Sequence, residues 1–211
     1  MDEVLPGVRH WTARHPKIGI LVSSYWLPEE GVLFDPLVPP EGFAELDAAP
    51  PRTVLLSNRH HLRESGRFVE RYGCSVRCNR AGLHEFAGGE VEVEGFELGE
   101  SLPGGVLAAE MGAICPDDTA LYLPTKRAVV LADGIVRGGE AGGGGPLGFV
   151  PDSLMDDPPE TKRGLLASCE RLLSELDFDS LLLAHGGPVI GDGRALLEDL
   201  VASGGRTAFE M

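Results

Sequence analysis

The chain has 211 residues, of which 43% are hydrophobic, and this is enough for one folded domain with a substantial core. Its 33 acidic residues outnumber the 18 basic ones, and the net charge of −15 excludes nucleic acid and anionic membranes as expected partners. Because no run approaches a membrane span and the sequence MDEVLPGVRHWTARH lacks the features of a secretory signal, we expect a cytoplasmic protein.

The first third of the chain is dominated by strand patterns. Residues 17–27 (KIGILVSSYWL) and 31–36 (GVLFDP) are β-branched and aromatic runs separated by PEE, which predicts a hairpin. Residues 52–58 (RTVLLSN) form a nearly continuous apolar run, typical of a strand buried on both faces. Apolar residues at helical spacing, followed by Gly73 as a C-terminal stop, predict a helix from about Arg63 to Tyr72.

The middle of the chain returns to short strands. The segment EVEVEGFEL alternates strictly between acidic and apolar residues, as expected of a strand with one solvated face. The glycine-rich stretch 138–148 lacks the lysine and the helix of a phosphate-binding loop, and we predict a mobile surface loop there. The five predicted strands cover residues 74–79, 89–98, 104–112, 118–124 and 127–134.

The last third combines two helices with one strand. A leucine-rich stripe predicts an amphipathic helix over 160–176, residues 178–189 (FDSLLLAHGGPV) predict a buried strand and turn, and 193–205 predict a closing helix. This order suggests sheets with helices packed outside them. The four cysteines have no strong zinc-binding spacing, so we predict buried, reduced thiols.

Polar side chains follow three of the apolar strands. His60, Asp133 and His185 come just after the runs LLSNR, VVLA and LLLA, respectively. Ends of strands that meet at one edge of a sheet are where α/β proteins build their sites. We therefore predict that these three side chains lie in one cavity.

At these positions the sequence resembles the metallo-β-lactamase fold superfamily over nearly the whole chain. SYWLPEEGVLFDPLVP resembles the opening hairpin of that family, SNRHHLRESGRF its His-x-His-x-Asp-His motif and helix, ICPDDTALYLP its His-x-Pro-Gly segment, VVLADG its bridging aspartate, and AHGGPV its final histidine turn. The resemblance implies an α/β (α+β) fold, a four-layer αβ/βα sandwich forming a single domain over residues 1–211, with the site at one edge of the paired sheets.

The family's metal ligands match this sequence far less well than its fold does. Three of the seven expected ligand positions match, namely His60, Asp133 and His185, and they are split between the two metal subsites. The other four expected ligands are replaced by Asn58, Leu62, Arg63 and Ile114. Leucine and isoleucine cannot coordinate a metal, and arginine brings a fixed positive charge to the cation's place. We infer that the two-metal centre is not assembled.

Two functions from different classes follow from this loss. In the first, no cofactor is bound and an unknown small molecule or protein occupies the remaining cavity, while the Arg63 guanidinium pairs with Asp133 where the metal was. If the protein is an enzyme, Asp133 and His185 are the candidate catalytic residues. The predicted cavity residues are Asn58, His60, His61, Leu62, Arg63 and Ile114.

The alternative is a hydrolase of an ester, thioester or lactone that uses one Zn, Fe or Mn ion held by His60, Asp133 and His185. His61 would join this set if the turn were rotated. A serine hydrolase is not supported, because no nucleophile-elbow glycines surround Ser57 or Ser65. A third possibility is an assembly role for the leucine-rich C-terminal helices, although packing against the sheets explains their stripes more simply.

Overall fold

Two β-sheets pack face to face and carry helices on their outer faces. The structure, a computed structural model, describes residues 1–138, 144–206 and 208. Residues 139–143 of the predicted glycine-rich loop lie outside the described residues. No helix in the described ranges is both long enough and apolar enough to cross a bilayer.

The first sheet has seven strands that follow one another in chain order. They are β1 (Asp2–Leu5), β2 (Val8–Arg14), β3 (Leu21–Leu27), β4 (Val32–Phe34), β5 (Thr53–Leu55), β6 (Ser75–Asn79) and β7 (Glu94–Phe96). The strands are antiparallel from β1 to β4 and parallel from β4 to β7. The predicted hairpin is confirmed as β3–β4, where Tyr25 pairs with Phe34. The β1–β2 hairpin was not predicted.

The second sheet contains five strands, and a small two-stranded ribbon lies beside it. The strands of the sheet are β8 (Ser101–Leu102), β9 (Val106–Glu110), β10 (Thr119–Leu123), β11 (Ala128–Leu131) and β14 (Ser180–Leu183), and those of the ribbon are β12 (Val136–Arg137) and β13 (Leu147–Gly148). The order in the sheet is β14-β11-β10-β9-β8. Among these described strands only β14 and β11 are parallel neighbours, and they therefore end at the same edge.

Four α-helices cover the sheets in the part of the chain that the structure describes. They are α1 (Ala44–Ala48), α2 (Ser65–Tyr72), α3 (Pro158–Glu175) and α4 (Gly193–Ala202). Helix α2 ends at Gly73 as predicted, with a φ of 69° that glycine adopts at little cost. It begins two residues later than predicted because Arg59–Leu62 form a separate 3₁₀ turn. The Asp157 side chain caps α3 by accepting a hydrogen bond from the Glu160 backbone N–H at 3.0 Å.

Alternating side chains on the strands define three apolar layers. On β3, Tyr25 and Leu27 pack between the two sheets, whereas Trp26 packs on the outer side with α1 and α2. On the far side of the second sheet, Leu165 of α3 and Leu197 of α4 are fully buried. The four-layer sandwich is thereby confirmed, and the leucine stripes of α3 and α4 are accounted for by packing within the chain.

Two details of the core bear on the predictions. All four cysteines are buried and none forms a disulfide, as predicted. The long strand predicted over 89–98 is wrong in length, since only Glu94–Phe96 pair with β6. The apolar side chains of Val91 and Val93 instead pack beside α2, so their alternation reflects burial without ladder pairing.

Candidate functional site

The candidate site lies where strands from both sheets end. Asp35 follows β4, Asn58 follows β5, Asp133 follows β11 and His185 follows β14. The pairs β4–β5 and β11–β14 are parallel, so each pair brings its carboxyl ends to one edge. The three strand-end segments predicted to converge do so in the structure.

Hydrogen bonds from β3 fasten the two sheets together at this edge. The Ser23 backbone N–H donates to the Ala184 carbonyl at 2.9 Å, and the Ser23 hydroxyl donates to the Gly186 carbonyl at 2.9 Å. The Tyr25 hydroxyl donates to the Leu183 carbonyl at 2.8 Å. These bonds bracket His185 on both sides. At Gly186, a Cβ would lie only 2.5 Å from the Arg137 Cβ, so this turn requires glycine.

Asp133 is the centre of a hydrogen-bonded cluster. Its Oδ1 lies 2.9 Å from His185 Nε2 and 3.2 Å from His61 Nε2. Its Oδ2 accepts a hydrogen bond of 2.7 Å from Asn58 Nδ2. The Asn58 Oδ1 in turn accepts from the His60 backbone N–H at 2.9 Å. Both oxygens of Asp133 and both polar atoms of the Asn58 amide are therefore engaged.

His61 lies between two carboxylates. Its Nδ1 is 2.9 Å from Asp35 Oδ2, while its Nε2 faces Asp133. Asp35 is itself held by the Ser57 backbone N–H at 2.9 Å and by the Ser57 hydroxyl. Burial opposes protonation of His61, but the charges of Asp35 and Asp133 outweigh it and raise the pKa of His61 to about 9. His61 is therefore an imidazolium at neutral pH.

The other titratable groups respond to the same cluster. Burial would raise the pKa of Asp133, yet the charge of His61 and the hydrogen bond from His185 hold that pKa well below its usual range. Burial lowers the pKa of His185, which is therefore neutral at pH 7. Burial, and then the charge of Asp133, raise the pKa of Asp118 well above its usual range. Within the described residues neither carboxyl oxygen of Asp118 has a hydrogen-bond partner.

Arg63 does not pair with Asp133, and that hypothesis is wrong. The Arg63 Nη1 donates to the carbonyl oxygens of Ser23 at 2.8 Å and Asp35 at 2.6 Å. No ion pair joins Arg63 to Asp133 in the part of the chain that the structure describes. The physical reason is that Asn58 and the two histidines already occupy the hydrogen-bonding positions of Asp133.

The backbone is strained at this edge. Of the three non-glycine residues with positive φ among those described, Asp35 (47°) and Arg63 (45°) belong to the site. Such conformations cost free energy and persist where surrounding contacts determine them, which is common at functional sites. Here the contacts are the hydrogen bonds that Asp35 and Arg63 make with the strand ends.

The predicted site residues do not all reach the cluster around Asp133. Asp133 and His185 come together as predicted, but His61 takes the place that the prediction gave to His60. His60 is exposed on the cavity wall, because it lies one residue earlier in the 3₁₀ turn. Arg63 and Ile114 also line the cavity, whereas Asn58 is buried behind Asp133 and Leu62 packs in the core beside α2. Asp35 and Asp118 were missed.

A cavity of about 1430 Å³ opens above the cluster. Its walls come from the β2–β3 loop, from residues 112–115, and from the segment that leads into α3. The floor includes His61, Asp133 and His185. Its volume exceeds the ~300 to 1,000 Å³ typical of small-molecule pockets, so the cavity has room for a large ligand.

The donor atoms of the cluster fit one metal ion. One ligand atom from each of His61, Asp133 and His185 lies within 4.8 Å of the other two, and two imidazoles with one carboxylate can hold iron, zinc or manganese. Asp35 on His61 Nδ1 resembles the carboxylate that orients metal-binding histidines. The side chains of Leu62, Arg63 and Ile114 offer no metal ligand.

Comparisons with known proteins show a likeness in structure alone. No family model matches the sequence, and no curated protein does. A metallo-β-lactamase family protein from Thermus thermophilus is 18% identical with a TM-score of 0.66, covering 95% of this chain and 80% of that one. A metallo-β-lactamase from Erythrobacter litoralis is 13% identical with a TM-score of 0.66, covering 96% and 95%.

A third similar structure belongs to a larger protein. The flavodiiron protein from Giardia intestinalis is 15% identical with a TM-score of 0.67, and the match covers 96% of this chain and 58% of that one. At such low identity the agreement concerns architecture, and it extends over almost all of the chain. Together with the αβ/βα layers and the site at the sheet edge, these matches lead to one conclusion: the chain has the metallo-β-lactamase fold.

Proposed function

We propose that this chain is a binding protein on a metallo-β-lactamase fold, which takes a small molecule into the cavity above Asp133 and does not assemble a two-metal hydrolytic centre. The observation that carries this proposal is the 2.7 Å hydrogen bond from Asn58 Nδ2 to Asp133 Oδ2. An aspartate that bridges two ions through both of its oxygens gives one oxygen to each ion. Here one oxygen already accepts from an amide.

The charges of the floor support the same proposal. Asp35 and Asp133 are two carboxylates with lowered pKa values, and His61 and Arg63 are two cations in their immediate surroundings. The positive and negative charges cancel without an added ion. Buried charges are tolerated when they are compensated in this way, so the cluster is stable as a set of hydrogen-bonded ion pairs.

A second candidate is a hydrolase of an ester, thioester or lactone that runs on one metal. It is favoured by the close approach of the three donor atoms and by the carboxyl of Asp118 nearby, which has no hydrogen-bond partner among the described residues. A bound ion would supply a Lewis acid and would activate water for attack near neutral pH. His61 would have to give up its proton to the solvent first, which its pKa of about 9 opposes.

Metal analysis separates the two candidates. The full chain is purified without added metal, its Zn, Fe and Mn contents are measured, and its melting temperature is recorded with each ion and with a chelator. The binding-protein proposal predicts far less than one equivalent of metal and no metal-specific stabilisation. The control pair is His185→Gln in the cluster and His84→Gln, an exposed histidine elsewhere.

The outcome that contradicts the binding-protein proposal is equally specific. It is one equivalent of a single metal that is retained in His84→Gln and lost in His185→Gln. That result would promote the hydrolase, whose activity would then be measured on ester, thioester and lactone substrates.

A further inference from the structure

The mouth of the cavity carries exposed apolar side chains, which is unusual for the surface of so acidic a chain. Five large hydrophobic side chains are exposed among the described residues, and three of them line this cavity. These are Ile18, Ile20 and Leu154, with exposed fractions of 58%, 49% and 66%. Single exposed apolar residues are ordinary, but a group around one concave site marks a binding surface.

The three residues come from two separate segments of the chain. Ile18 and Ile20 lie in the loop between β2 and β3, while Leu154 ends the 3₁₀ turn Asp152–Leu154 that precedes α3. Neither segment uses these side chains in the core. A ligand that spans the mouth would therefore contact apolar surface from both segments and remove it from water.

Basic side chains without acidic partners line the same cavity. Arg14 donates to the Gly19 carbonyl, and Arg137 donates to the carbonyls of Gly145 at 3.0 Å and Pro188 at 3.2 Å. Within the described ranges no carboxylate lies at ion-pair distance from Arg14, Lys17 or Arg137. Besides Asp133 on the floor, three acidic residues line the cavity, and they are grouped at the start of α3: Asp156, Asp157 and Glu160.

We propose that the ligand of this cavity is an amphiphile, a long apolar chain with a terminal carboxylate, whose chain lies against Ile18, Ile20 and Leu154 and whose carboxylate pairs with the basic residues of the wall. This inference rests on the proposed binding function and specifies its ligand class. A chain of methylene groups is stabilised in proportion to the apolar area it buries, and a cavity of about 1430 Å³ has the volume to hold such a chain.

The test uses a fluorescent dansyl-labelled undecanoic acid and the full chain. We expect saturable binding that decanoate displaces and that butyrate, at the same concentration, does not. The variant with Ile18→Ser, Ile20→Ser and Leu154→Ser is expected to raise the dissociation constant roughly tenfold or more. The matched control carries Leu98→Ser and Ile190→Ser, two exposed apolar residues outside the cavity, and should bind as the wild type does.

The carboxylate is tested separately from the chain. Arg14→Gln with Lys17→Gln is expected to weaken binding of the dansyl acid several-fold while leaving displacement by decanol unchanged. Equal loss for the acid and the alcohol would overturn the assignment of the carboxylate to this wall. All seven substituted positions are exposed, so each variant is expected to fold.

The contrary results are distinguishable from failure of the binding function itself. If butyrate or phosphate raises the melting temperature and the dansyl acid does not bind, the amphiphile is excluded and small-molecule binding survives. If the acid binds the rim variant, which carries Ile18→Ser, Ile20→Ser and Leu154→Ser, as tightly as it binds the wild type, these three apolar residues are not its site. If the wild type is a dimer that the rim variant abolishes, and the acid does not bind, the rim is a protein interface and the inference is wrong.

Discussion

Replacing Asn58 by aspartate tests the central contact of the site with a nearly isosteric change. Asn58 is fully buried, and its Nδ2 donates to Asp133 Oδ2 at 2.7 Å. Asn58→Asp removes the donor and puts a carboxyl oxygen in its place. The capping bond from the His60 N–H to the other side-chain oxygen can be kept, so the change is confined to the contact with Asp133.

The magnitude follows from this distance. Losing a hydrogen bond to a charged group costs about 1.5 to 3 kcal/mol. Two full negative charges 2.7 Å apart would repel by about 6 kcal/mol at an effective dielectric constant of about 20. Because the pair can share a proton, as close carboxylates do, only part of this repulsion is felt. We expect Asn58→Asp to lower the free energy of unfolding by about 3 to 5 kcal/mol at neutral pH.

The assay is urea unfolding in the presence of a chelator, and Asn79→Asp is the matched control. Asn79 is also buried, and it also caps a 3₁₀ turn, accepting from the Ala81 N–H, but its Nδ2 donates to the neutral hydroxyl of Thr119. We expect a cost of about 1 kcal/mol for the control. Equal costs for the two variants would refute the argument that the hydrogen bond from Asn58 stabilises the charge on Asp133 Oδ2.

Three other predictions concern the surroundings of the site. Because the pKa of His61 is raised to about 9, its protonation should stabilise the fold fully below about pH 6.5, by about 3 kcal/mol, and this contribution should be lost as the pH rises through about 9. Urea unfolding across this range should show the decline in the free energy of unfolding. A His61→Gln variant with the same dependence on pH would contradict the prediction. Arg63→Met should lower the free energy of unfolding by about 2 to 4 kcal/mol, since two buried carbonyls lose their donor, whereas Arg67→Met on the exposed face of α2 should change it little. The four thiols should be inert to Ellman's reagent in the native protein and react after unfolding, because all are buried; rapid reaction of one thiol without unfolding would show that the cavity exposes it.

Periodicity and turn chemistry were sufficient for much of the fold. The β3–β4 hairpin, α2 with its stop at Gly73, and the long helices α3 and α4 all follow from local patterns of apolar residues. The β1–β2 hairpin was not predicted, because its polar residues are mixed with apolar ones and give no clear strand pattern. His10 illustrates this: it is a polar residue of β2, yet it is buried, with its ring stacked on Tyr25 and hydrogen-bonded to the Ser23 hydroxyl.

The site was predictable to the level of strand ends and no further. The rule that ligand-type residues follow buried strands found Asp133 and His185, and applied to β4 it would have found Asp35 as well. It could not choose between His60 and His61, because in a 3₁₀ turn neighbouring side chains point about 120° apart. Nor could the rule assign the hydrogen-bond partners of Asp133, since these depend on which of several nearby donors lies within hydrogen-bond distance of the carboxylate in the folded structure.

The bonds from Ser23 and Tyr25 to the carbonyls around His185 have a consequence for how a ligand enters. They join the two sheets at the edge where the cavity opens, so the sheets cannot part there without breaking three hydrogen bonds. Widening must come from the loops that carry Ile18, Ile20 and Leu154. The mouth can therefore adapt to the shape of the proposed ligand while the charged floor keeps one geometry.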